Sequence, residues 1–185
     1  MLHMEQKDYT LEVINELLKN PAHVRGMAKA LGTNHMSISR RIKELFKENV
    51  VDYKEEGKNK VYFLKKNAES RSYAFMAENY KLARMIKKYP ELRRIVEVIH
   101  QTRKIRLAVL FGSYAKGIAK PESDIDVYIE TMSNELKKNI ERINAKLSVK
   151  IGRYDKSSLL IKEIEKNHVI LKGIEEYYEK NKFFE

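Results

Sequence analysis

The chain has 185 residues, 43% of them apolar and 34% charged, with a formal net charge of +11. That length holds one large domain or two small ones with a real core, and the basic excess favours an anionic partner, nucleic acid before a membrane surface. With no cysteine a disulfide framework and a thiolate metal site are excluded, and with neither an apolar signal core nor a run near ~18 apolar residues no membrane role and a cytoplasmic location are expected.

Residues 8–19 place Leu11, Ile14, Leu17 and Leu18 at helical spacing, and Asn20-Pro21 stops that helix. A second helix carries Val24, Met27, Ala28 and Leu31 on one face, with Gly32 suited to a left-handed turn after it. A third begins near Asn34 and turns Ile38, Ile42, Leu45 and Phe46 inward. "VVDYKEEGKNKVYFLKK" then reads as two strands around a polar tip at Gly57. Residues 68–88 form a longer helix, with Tyr73, Met76, Tyr80, Ala83 and Ile86 near one stripe, and Pro90 starts the next, which carries Leu92, Ile95, Val96 and Ile99.

Beyond residue 104 the apolar period changes from helical to alternating. "IRLAVLFG", "DIDVYIE" and "LSVKIG" read as strands and "HVILKG" as a last short one. "SNELKKNIERINAKL", "SSLLIKEIEKN" and "IEEYYEKNK" read as helices. The order implies an α+β protein in three segments: three helices and a hairpin over 1–66, a linker or dimerisation helix over 67–90, and a small mixed sheet flanked by helices over 91–185. Residues 66–104 hold ten basic and four acidic side chains, more than half of the net excess.

Three short helices and a hairpin make a winged helix-turn-helix, and the first 65 residues resemble the winged helix-turn-helix regulators of archaea and bacteria. In such a module the second helix of the motif enters the major groove of double-stranded DNA. With Ile38 and Ile42 in the core, His35, Ser37, Ser39, Arg40 and Lys43 face outward; Arg40 suits a guanine edge and the serines suit phosphate or base. Lys58 and Lys60 at the wing tip suit backbone or minor-groove contact, and Arg41 belongs to a solvated flank. The same fold also serves protein contact alone, a use that Glu55 and Glu56 in the wing would favour. Winged helices usually read two half-sites as a homodimer, and the aromatic stripe of 68–88 offers a seam.

The densest chemistry lies in "LFGSYAKGIAKPESDIDVYIE". Asp124 and Asp126, two apart on a strand, leave the same face with Cα atoms about 6.6 Å apart. Carboxylates that close repel unless a cation joins them. Mg²⁺ takes a few carboxylates and completes its shell with water and phosphate oxygens. Gly112 lets backbone approach a phosphate closely, and Ser113 adds a hydroxyl at the start of a turn or helix.

"GSYAKGIAKPESDID" is similar to the Gly-Ser, ten-residue spacer, Asp-x-Asp signature of the DNA polymerase beta-like nucleotidyltransferases, above all their minimal members. The resemblance covers roughly residues 92–172, with Gly117 and Ser123 also matching. It implies that Gly112, Ser113 and Ser123 bind a nucleoside triphosphate, ATP first, and that Asp124 and Asp126 are catalytic and bind Mg²⁺. It implies transfer of a nucleoside monophosphate to a hydroxyl or phosphate with release of pyrophosphate. Some minimal members modify a partner toxin, so a protein acceptor is possible as well as a nucleic acid.

Family members usually carry a third acid on the next strand, which helps to hold a second metal. Aligned there, "LSVKIG" offers Lys150, and the nearest following acid is Asp155. Glu130 shares the face of the aspartates but lies roughly 13 Å beyond Asp126. Tyr114 stands where it could stack on a base. Two functions follow: a DNA-binding nucleotidyltransferase, or a transcriptional regulator whose nucleotidyltransferase domain is catalytically impaired and only senses nucleotide.

Overall fold

The computed structural model describes residues 7–185. These divide into two compact units: one ends at Ala77 and takes in Phe183–Glu185, and the other is Glu78–Lys182. The sequence places boundaries after residues 66 and 90; the units instead divide inside one helix.

The first unit begins with helix α1, Tyr9–Lys19. Asp8 caps it by accepting hydrogen bonds from the Thr10 and Leu11 amides. Helix α2, Val24–Leu31, closes on Gly32, whose φ of 63° is the left-handed turn its sequence predicts. Helix α3, His35–Lys47, starts where Asn34 Oδ1 accepts from the Ser37 amide at 2.8 Å. Val13, Ile14, Leu17, Met27, Ala28, Ile38, Ile42 and Leu45 form one core. Phe46 departs from expectation: it is exposed and lies beside the ring of Tyr53. Four residues past Ile42, it lies about 40° outside the edge of the buried stripe, on the side toward the hairpin's Tyr53.

Strands β1, Val51–Glu56, and β2, Asn59–Leu64, pair antiparallel around Gly57. Ala22 adds a bridge to Tyr62, closed by two hydrogen bonds of 3.0 and 2.9 Å, so the hairpin is tied to the segment between α1 and α2. Helix α4 spans Ala68–Lys88. Its buried residues are Ser70, Ala74, Ala77 and Glu78 rather than the aromatic stripe, and Met76 is exposed. Small side chains let its backbone approach closely, which hydrophobic periodicity does not register.

In the second unit, helix α5 covers Leu92–Gln101 and buries Leu92, Ile95, Val96 and Ile99 as expected. Pro90 lies in the turn before it, where its carbonyl accepts from the Arg93 amide. Strand β3, Ala108–Phe111, runs into a one-turn helix α6, Gly112–Ala115, and strand β4 is Ile125–Glu130. Helix α7, Asn134–Glu141, is shorter than its sequence pattern. Then come β5, Leu147–Gly152, α8, Leu159–Lys166, β6, Val169–Lys172, and α9, Ile174–Asn181.

The sheet order is β5-β4-β3-β6, with β4 and β5 parallel and the other pairs antiparallel. The mixed sheet expected from the sequence is therefore present. One face, carrying Ala108, Leu110, Ile125, Val127, Ile129, Val149 and Leu171, packs with α5 and with Ile140 of α7. Alternation puts Val109, Phe111, Tyr128 and Ile170 on the other face, where α8 packs on β3 and α9 on β6.

A polar cluster is buried on this second side. Tyr178 donates to Glu78 Oε1 at 3.0 Å, and Lys81 pairs with Glu78 Oε2 at 2.8 Å. His168 donates from Nδ1 to the Ile164 carbonyl. Its Nε2 finds no hydrogen-bond partner among the described residues and sits 3.9 Å from Glu78 Oε1. Burial, aided by the Lys81 charge and opposed by Glu78, pushes the imidazole down from 6.5 to about 4.

The unfolded chain therefore takes up a proton on His168 before the folded chain does. The stability this neutral imidazole represents is present above pH 6.5 and is lost as pH falls toward about 4. The full loss is about 3 kcal/mol. Thermal unfolding followed across that pH range should show the decline, and His168→Gln should flatten it.

Candidate functional site

The site is built by one strand pairing. Antiparallel β3 and β4 place Phe111 opposite Asp126. The chain then turns at Gly112, whose φ is 71°. A Cβ on Gly112 would lie 2.6 Å from Asp126 Oδ2 and 3.4 Å from its Cγ. The carboxylate is thus seated against a bare Cα, and only glycine fits there. Asp124 precedes the strand and is exposed, while Asp126 is half-buried.

The loop between Gly-Ser and Asp-x-Asp is braced at several points. Tyr114 is buried, donates to Glu91 Oε1 at 3.1 Å, and meets the ring of Tyr89 edge-on. Tyr114 is therefore a core residue and cannot stack on a base. Lys88 donates to the carbonyl of Gly117 at 2.7 Å. Ser123 Oγ accepts from the Lys120 amide at 2.9 Å, and the Ser123 amide donates back to the Lys120 carbonyl. The Ser123 hydroxyl oxygen thus helps to close the loop, and its own O–H is still a donor. Lys146 donates from Nζ to the Pro121 carbonyl. Ser113, half-buried, uses its carbonyl to receive the Ile118 amide.

Electrostatics follow from this packing. Burial raises the Asp126 carboxyl above the usual carboxylate range, and the like charge of Asp124 adds to it. Lys150 opposes the rise, and Glu163 of α8 reinforces it. Glu163 has no periodicity or motif to mark it; the packing of α8 on β3 alone brings its charge within reach of Asp126.

These residues fit a divalent cation. One carboxylate is half-buried and raised by burial and then by its neighbour, the other is open to water, and the cradle beside them excludes a side chain. Mg²⁺ wants few carboxylates and keeps sites for water and phosphate oxygens.

The position facing Asp126 on the adjacent strand is Ser148; Lys150 faces Tyr128. The sequence places Lys150 at the third-acid position, and in the strand register the residue paired with Asp126 is Ser148. No acid stands at either position. Asp155 accepts from the Ser157 amide and hydroxyl at 2.9 and 2.7 Å, a local turn before α8. Glu130 binds Lys180 at 3.1 Å and accepts from the Tyr154 amide. Among the described residues no three acidic or histidine side chains gather closely enough to hold a metal.

Residues 93–177 match the family model of the polymerase beta nucleotidyltransferase. That stretch contains Gly112, Ser113, Asp124, Asp126, Lys150 and Glu163. No curated protein matches the chain. The second unit thus carries a nucleotidyltransferase domain, and among the described residues no helix is long and apolar enough to cross a membrane.

In the first unit, α3 exposes His35, Arg40 and Lys43, while Ser37 and Ser39 are half-buried. Arg41 pairs with Glu44 at 3.0 Å along the helix flank. Met36, 69% exposed, joins Arg40, Lys43 and Lys47 in one outward stripe. Nothing in the residue pattern marks Met36 as a surface group, since an apolar side chain ordinarily goes to the core. Lys58 and Lys60 are exposed on the hairpin, and the Lys60 ammonium lies 3.9 Å over the Tyr53 ring.

Gly112→Ala places a methyl group against Asp126 Oδ2 and forces alanine to a positive φ. The expected cost is about 1–3 kcal/mol of stability, with loss of magnesium-dependent nucleotide binding. Urea unfolding and calorimetric titration with ATP, with and without Mg²⁺, measure the two effects.

Proposed function

We propose that the nucleotidyltransferase domain moves a nucleoside monophosphate from a magnesium-bound nucleoside triphosphate, ATP first, onto a macromolecular acceptor. The observation that carries this reading is the Asp126 carboxylate seated on the bare Cα of Gly112, with Asp124 two residues earlier. Asp124 and Asp126 would hold the ion from one side. Gly112 and Ser113 present backbone and a hydroxyl to phosphate oxygens from the other. When bound, Mg²⁺ supplies positive charge to the triphosphate oxygens as pyrophosphate departs.

We further infer that the first unit is a winged helix-turn-helix that docks on double-stranded DNA. The outward stripe of α3 supports this, because Arg40 and Lys43 project from the face opposite Ile38, Ile42 and Leu45. Met36 on the same stripe suits the methyl group of thymine. The acceptor is then DNA itself or a protein held near it, and the chain acts as a homodimer on two half-sites. Lys58 and Lys60 of the wing would touch the DNA backbone.

A second reading rests on a specific feature: the residue facing Asp126 on β5 is Ser148, not an acid. In that reading the domain binds Mg-nucleotide without turning it over, and the chain is a nucleotide-sensing regulator of transcription in the cytoplasm.

Incubation with Mg²⁺ and labelled ATP, with and without DNA, separates the two. Pyrophosphate release identifies the transferase; metal-dependent binding without release identifies the sensor. Asp124→Ala should abolish metal-dependent nucleotide binding and leave DNA affinity nearly intact, and persistent binding would place the site elsewhere. Arg40→Ala should weaken binding to the cognate site by about 1–3 kcal/mol if it contacts a base edge, as measured by titration against cognate and scrambled duplexes.

A further inference from the structure

The family signature brings with it an expectation of two metal ions, and the side chains around Asp126 do not fit a second. Strand β5 runs parallel to β4, with Ser148 opposite Asp126 and Lys150 opposite Tyr128. Leu147 and Val149 are buried in the sheet's core face, so the pleat puts Ser148 and Lys150 on the same face as Asp126. Where a third carboxylate would complete a second coordination shell, there is a hydroxyl and, one pair further on, an ammonium. The Lys150 side chain is exposed on the face that Asp126 shares, diagonal to it across the strand pair.

Ligand supply points the same way. Asp124 and Asp126 offer two carboxylates, enough to hold one divalent ion together with water and phosphate oxygens. A second ion would share those carboxylates with the first and approach a fixed positive charge. The other acids nearby do not make up the deficit. Asp155 is held in its own turn, and Glu130 is paired with Lys180. Glu163 adds negative charge from α8, yet among the described residues it makes no three-carboxylate group with the aspartates.

We infer that this site takes a single divalent cation with its nucleotide, and that Lys150 supplies the further positive charge beside Asp126 that a second ion would otherwise bring. The inference rests on the nucleotide-binding reading above. It holds equally for a transferase or a sensor, because it concerns occupancy and not turnover. An ammonium in that place suits the phosphate oxygens of the nucleotide, as a point charge with rotatable donors.

The test counts ions. The full chain is saturated with α,β-methylene ATP and titrated with Mn²⁺, with free and bound ion followed by electron paramagnetic resonance. One Mn²⁺ per bound nucleotide, with the spectrum of an isolated ion, is expected. Two ions per nucleotide with a spin-coupled spectrum, the signature of metals about 4 Å apart, would overturn the inference and make Glu163 the missing acid. Ser148→Asp combined with Lys150→Met, which puts a carboxylate opposite Asp126 and removes the ammonium, should admit a second, coupled Mn²⁺. Lys150→Met should keep one ion and weaken analogue binding about tenfold, the loss of one charged contact to phosphate. Unchanged affinity in Lys150→Met would remove Lys150 from the site. If neither nucleotide nor ion binds, the nucleotide reading itself fails, an outcome distinct from a count of two.

Discussion

Every feature of the candidate site depends on the contact between the Gly112 Cα and the Asp126 carboxylate. It arises because β3 and β4 are antiparallel neighbours in the middle of the sheet, with Phe111 opposite Asp126. Strand registry thus brings the end of one strand and the start of the next to a single point. The left-handed turn at Gly112 then carries the chain past the carboxylate without a side chain in the way. Both halves of a phosphate-and-metal site come from residues fourteen apart in sequence, held by backbone hydrogen bonds instead of by side-chain contacts.

The surroundings stiffen this arrangement from several directions. Tyr114 anchors the one-turn helix to Glu91 and Tyr89, while Lys88 and the Lys120–Ser123 pair hold the loop behind it. On the face that Asp126 shares, α8 and α9 pack and bury a polar group centred on Glu78 and His168. The domain therefore carries two sets of perturbed acid-base groups with different causes. Asp126 is raised by burial and a neighbouring carboxylate, a conflict that a cation resolves. His168 is lowered chiefly by burial, a conflict that only a neutral ring resolves, which makes it a matter of stability rather than of ligand binding.

The departure on β5 gives the site its individual character. An acid in that position would favour a second ion; a serine facing Asp126 and a lysine one pair on favour a single one. Electrostatic character at such a site is a sum over strands and helices. Glu163 and Lys150, remote from the Gly-Ser motif in sequence, both act on the same carboxylate with opposite sign.

Much of this was legible from residue order alone. Strong local signals carried it: the Asn20-Pro21 stop after α1, the glycine after α2, the change of period after residue 104, and the Gly-Ser and Asp-x-Asp spacing. These are short-range effects, in which a few neighbouring side chains satisfy backbone groups or alternate across a strand. Packing decided the remainder. Phe46 and Met76 are apolar yet exposed, α4 buries alanines and a glutamate, and Tyr114 belongs to the core. Registry alone shows that Ser148 and not Lys150 faces Asp126, because pairing between strands is set by the whole sheet and its buried face. Sequence determined which groups could meet a metal and a phosphate; tertiary structure decided which neighbours share their field, since charge acts through space and not along the chain.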